Sequence, residues 1–116
     1  MTIREAAIAL GAEILHDDFE DNVLSGAYTS DLLSDVMANA NTGNKGSALI
    51  TIQAHKNTVA VAAMLNISAI LICNSRPVPE DMLLAAREER IALLQSGENQ
   101  FTLSGKLFQM IIKGGS

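Results

Sequence analysis

Apolar residues recur along the chain at two spacings, and the changes from one to the other divide it into elements. In "MTIREAAIALG", Ile3, Ala6, Ala7 and Leu10 fall on one helical stripe, with Thr2 placed to cap the helix and Gly11 to end it. "EILH" reads as a brief strand, and beyond the acidic turn "DDFEDN" a second strand is expected at "VLSGAY". "TSDLLSDVMANA" predicts a helix capped by Thr29 or Ser30 that turns Leu32, Leu33, Val36 and Met37 inward. After the loop-like "NANTGNKGS" come three strand-then-helix units: "ALITIQ" with "NTVAVAAML", "AILICN" with "PEDMLLAAREER", and "IALLQS" with "TLSGKLFQMIIK". Pro79 suits the first turn of its helix, and Glu80 and Asp81 complement the dipole there.

Strands alternating with helices of this length imply parallel pairing through right-handed crossovers. The predicted fold class is α/β: a single three-layer α/β/α domain with a mainly parallel sheet over residues 1–116, of which about 114–116 form a loose tail. The helix in "NTVAVAAML" is apolar almost all round, and a domain this small cannot easily cover every side of it. A symmetric homodimer formed in part through that helix is therefore expected.

Composition narrows the core chemistry. Hydrophobic residues make up 48% of the 116 and aromatics only 3%, so the core must be built from Ala, Val, Ile, Leu and Met, as suits strands covered on both faces. A net charge of −5, with eight Lys and Arg scattered, argues against a phosphate-backbone footprint, and no nucleic-acid partner is expected. The single cysteine, Cys73, cannot form an internal disulfide and lies in an apolar run where any small hydrophobe would serve. The longest nearly apolar run, Thr58 to Cys73, is shorter than the roughly 20 residues of a spanning helix and contains Asn66 and Ser68. Arg4, Glu5 and Glu13 interrupt the opening, which does not read as a signal segment, so a cytoplasmic protein without membrane contact is expected.

Ligands of open parallel sheets bind outside the carboxyl ends of the strands, where loops converge and helix starts present free N–H groups. The loops expected there carry Thr29, Ser30 and Asp31; Gln53, His55 and Asn57; Asn74, Ser75 and Arg76; and Ser96 and Gly97. This collection would suit a small polar metabolite or nucleotide, with Arg76 meeting an anionic group, Asn57 and the helix start giving hydrogen bonds, and Asp31 meeting a hydroxyl or amine. Helix capping alone would also account for Ser30 and Asn57.

Other combinations are weaker. Asp31 and Asp35 share a helical face, but no further carboxylate or histidine stands at ligand spacing, and no metal is expected. His55 is the imidazole best placed for proton transfer, and the nucleophile nearest to it is Cys73, at the end of the next strand. His16, beside Asp17 and Asp18, reads as a surface turn residue. "GNKGS", Gly43 to Ser47, lacks the spacing of a phosphate-binding loop and leads into a strand rather than a helix. With no dinucleotide fingerprint and no cysteine cluster, no cofactor is expected.

Three stretches, "GAYTSDLLSDVMANA", "TIQAHKNTVAVA" and "AILICNSRPVPEDMLLAAREERIALLQSGENQFTLSGKLF", together resemble stand-alone DRTGG-domain proteins, similar in fold to the N-terminal domain of HPr kinase/phosphorylase. The five-letter signature that names the family is absent, and Gln53-Ala54-His55-Lys56-Asn57 stands in its place. The resemblance implies a non-catalytic regulatory module, since related domains occur fused to phosphate acetyltransferases or to paired nucleotide-sensing modules. It also implies a fermentative or hydrogenase-linked setting. Two further roles stay open: an interaction subunit of a larger complex with a protein partner and no small ligand, and a small enzyme using His55.

Overall fold

A computed structural model describes residues 1–40 and 46–114. Most of the "GNKGS" segment and the end of the expected tail lie outside the described residues.

Helix α1 (Ile3–Leu10) begins as its sequence requires. Thr2 accepts from the Glu5 N–H at 3.2 Å, the Thr2 N–H donates back to the Glu5 carboxylate at 2.8 Å, and Gly11 ends the helix at φ 67°. Ile3, Ala6, Ala7 and Leu10 are all buried. There follow β1 (Glu13–Ile14), β2 (Gly26–Thr29), α2 (Leu33–Asn39), β3 (Ser47–Thr51), α3 (Lys56–Met64), β4 (Ala69–Ile72), α4 (Glu80–Glu88), β5 (Ala92–Gln95) and α5 (Gln100–Gly114). The strands form one sheet in the order β1-β5-β4-β3-β2, parallel from β2 to β5, with β1 antiparallel on β5.

Strands β2 to β5 add in chain order, and α2, α3 and α4 all pack on one face of the sheet. Only after β5 does the chain change sides, so that α5 joins α1 on the other face. Side chains of the central strands alternate accordingly: Leu49, Ile70, Ile72 and Leu93 face α2 to α4, whereas Ile50, Leu71 and Leu94 face α1 and α5. Burial on both faces explains why these strands read as continuous apolar runs. On the α1 and α5 side, Ala27, Ala48, Ala69 and Ala92 stand in register across four strands, and this row of small side chains lets the two helices approach closely. The α/β/α layering read from the sequence is thus the observed one.

Several local expectations are corrected. His16 is buried, not a surface turn residue: its Nε2 meets the Ile91 carbonyl at 2.8 Å and its Nδ1 accepts the Asp18 N–H at 2.9 Å. The imidazole is therefore assigned as the Nε2–H tautomer. Neither Thr29 nor Ser30 caps α2, which starts later, after Leu32, with no side-chain cap. Ser30 instead closes the preceding turn by accepting the Leu32 N–H at 3.2 Å. Only Val36 of α2 is fully buried, and Leu32 and Met37 are exposed, because a helix over the outermost strand has a neighbouring helix on one side alone. Helix α3 lies between α2 and α4, burying Val59, Val61 and Ala62 and exposing Ala60 and Met64, so most of its apolar surface is covered within the chain. No helix among the described residues is long and apolar enough to cross a membrane.

Candidate functional site

Adjacent strands β4 and β5 send their following helices to opposite faces, the arrangement that usually leaves a crevice at the strand ends. Here the two loops close it. The Asn74 N–H donates to the Glu98 carbonyl at 2.9 Å and the Ser75 N–H to the Ser96 carbonyl at 2.8 Å. To reach these partners both Asn74 (φ 59°) and Ser75 (φ 51°) adopt the left-handed region, which asparagine tolerates and which costs the serine about 1–2 kcal/mol. Ser96 is buried, and its hydroxyl accepts the Glu98 N–H at 3.1 Å.

The open space lies one strand over. A cavity of about 430 Å³ between the β3–α3 and β4–α4 loops is lined by Ile52, Gln53, Ala54, His55, Arg76 and Pro77. Three glutamine side chains fix its walls, each reaching the loop of a neighbouring unit. Gln53 Nε2 donates to the Asp31 carbonyl at 2.7 Å, Gln95 Nε2 to the Arg76 carbonyl at 2.6 Å, and Gln100 Oε1 accepts the Ile52 N–H at 3.1 Å. Thr58, buried in the first turn of α3, closes the loop below by donating to the Gln53 carbonyl at 2.8 Å. The backbone that carries Arg76 and His55 is thereby held, while the guanidinium and the imidazole are exposed and make no hydrogen bond or ion pair among the described residues.

Of the residues singled out from the sequence, Gln53, His55 and Arg76 line this cavity. Asp31 does not line it; its carbonyl accepts from Gln53, which does. Asn57 is exposed in the first turn of α3 and does not cap it; the residue at the cap is His55, whose side chain makes no capping bond. Asn74 and Ser96 belong to the closed junction beside the cavity. Gln95, Gln100 and Thr58 were not singled out. A polar residue closing an apolar strand, as Gln95 closes "IALLQ", is the sequence trace such a clamp leaves.

Cys73 and Asp35 each have engagements of their own. Cys73 is fully buried, and desolvation pushes its thiol up to about 11, against a smaller opposing effect of the Thr51 backbone. Asp35 is engaged by the Tyr28 hydroxyl and the Asn39 amide, each at 2.9 Å. No group of three or more potential metal ligands occurs among the described residues.

No family model matches the sequence, and no curated protein does. Among solved structures, the fold is similar to one described as the CBS and DRTGG domains of the regulatory region of Clostridium perfringens pyrophosphatase, complexed with its activator diadenosine tetraphosphate. The TM-score is 0.68 at 13% identity, over 90% of this chain and 44% of that one, so the chain spans less than half of the other's length. At that identity the likeness is one of fold: this α/β/α sandwich has the architecture found in a pyrophosphatase regulatory region that includes a DRTGG domain.

Proposed function

We propose that the chain is a regulatory module without catalytic activity that binds a small anionic metabolite, with a nucleotide as the first candidate, between the β3–α3 and β4–α4 loops. The observation that carries this reading is the 430 Å³ cavity with an unpaired guanidinium, Arg76, and an unpaired imidazole, His55, on a backbone held by three glutamine clamps. Its volume falls within the range of small-molecule sites, about 300–1,000 Å³. Arg76 offers the planar fork that suits phosphate or carboxylate, and His55 adds a donor from the facing loop. The structural neighbour comes from a regulatory region and was solved with a dinucleotide activator, which supports a sensing role. Cys73 is buried and outside the cavity lining, which supports a module that does not use this thiol as a nucleophile. The DRTGG resemblance, with its HPr kinase-like affinity and its link to fermentative or hydrogenase metabolism, fits a sensing domain.

The test is a thermal-shift series with adenine nucleotides, acyl phosphates and other anionic metabolites. A ligand at 100 times its dissociation constant adds about 2.7 kcal/mol to stability. Arg76→Ala should then weaken the responding ligand by about tenfold to a hundredfold, the loss expected for a charge-assisted hydrogen bond. No response across the panel, or a response that Arg76→Ala leaves untouched, would sink the reading.

A further inference from the structure

The two edges of the sheet differ. Strand β1 is two residues long and carries Glu13, features that discourage strand addition, whereas β2 presents the four uncharged residues Gly26 to Thr29 with no strand on its outer side among the described residues. Beside that open edge, α5 and β2 enclose a groove of about 620 Å³ with no charged residue in its lining. In a chain that is 18% charged, about two of its eleven lining residues would be charged by composition alone. Phe101 is 88% exposed, Phe108 53% and Ile112 56%, and their spacing places them along one side of α5. Ser104 and Gly105 leave a gap between the two phenylalanines, opposite Gly26 and Ala27 of the strand.

We infer that a second copy of this chain docks here, pairing β2 with β2 antiparallel across a two-fold axis and packing α5 against α5. A two-fold interface needs one patch to supply both projections and recesses. This patch does so: Phe101 and Phe108 project, and the small residues Gly26, Ala27, Ser104 and Gly105 recede. Two molecules of net charge −5 repel, so the uncharged groove is the face on which they meet at least electrostatic cost. At about 200 Å² for each large side chain, Phe101, Phe108 and Ile112 alone leave on the order of 400 Å² open, roughly half of the ~800 Å² each partner gives to a stable interface. The strand edge and the remainder of α5 supply the rest. The interface lies on α5 and β2, not on α3, and it does not depend on ligand binding at the cavity beside Arg76.

Sedimentation velocity of the full chain at about 10 µM, where an interface of ordinary affinity is occupied, should give twice the 12.3 kDa chain mass. Phe101→Glu should return the single-chain mass with an unchanged circular dichroism spectrum, because the side chain it replaces is exposed. Met64→Glu, on the exposed side of α3, should leave the doubled mass intact. A single-chain mass for the parent protein, a dimer that survives Phe101→Glu, or a dimer broken by Met64→Glu would each overturn the proposal. So would a single-chain mass with saturable binding of an apolar dye that Phe108→Glu abolishes, which would assign the groove to a small ligand.

Discussion

Cys73 is the residue whose surroundings most constrain its chemistry. Its thiol is shut in the core and raised from 9.0 to about 11, so it should resist a thiol reagent at pH 8 in the folded protein and react at once in denaturant. Rapid labelling of the native protein would contradict the burial. The shift also has a sign in stability. Below pH 9 both states keep the proton; between about 9 and about 11 the unfolded chain loses it first, so stability falls over that window. Cys73→Ala should flatten the lower part of that fall in urea titrations, while Tyr28, whose hydroxyl is raised above 10.0 mainly by its hydrogen bond to Asp35, continues it higher up. At this scale the sequence was legible where a residue's role depends on near neighbours. Thr2 and Gly11 bound α1 as read, and the apolar run around Cys73 announced its burial. His16 was misread because its partner, Ile91, is 75 residues away and the adjacent Asp17 and Asp18 pointed to a wet turn.

Among the elements, α2 is the least secured. It has seven residues, no side-chain cap and one fully buried side chain, so its attachment leans on the polar contacts of Asp35. Hydrogen bonds from Ser30 first, then Tyr28 and Asn39, hold that carboxyl below its ordinary value of 3.8. A depressed carboxylate contributes stability above the unfolded-state value that is lost as the pH falls through the folded one. Asp35→Asn should therefore lower the stability near neutral pH and flatten its decline below about pH 4, as read by urea midpoints along an acid series. An unchanged acid profile would show that Asp35 anchors nothing. The helices α1, α4 and α5 were legible because each has a dry face at regular spacing, whereas the lining of the candidate cavity was legible only in part. Residue types at strand ends name the loops, and Gln53, His55 and Arg76 do meet, but the clamps that exclude Asn74 and Ser96 are contacts between units.

In the whole molecule, contacts between units decide which strand ends stay open: the crevice between β4 and β5 is sealed, and the cavity sits between β3 and β4. The order of the strands also bears on how the protein acquires its shape. From β2 to β5 each strand pairs with the one before it in the chain, so these contacts close short loops. The antiparallel pair of β1 with β5, the His16 bond to Ile91 and the packing of α1 on α5 instead join distant ends of the sequence. Loop-closure entropy then makes the central parallel unit the early-forming part and the α1–β1 flank the late one. His16→Ala, which removes one buried and one part-buried hydrogen bond at about 1 kcal/mol each, should speed unfolding in stopped-flow experiments while leaving the refolding rate nearly unchanged. Ile70→Val in the centre of the sheet should slow refolding instead. A chain built this way commits to its sheet before its first helix has anywhere to dock.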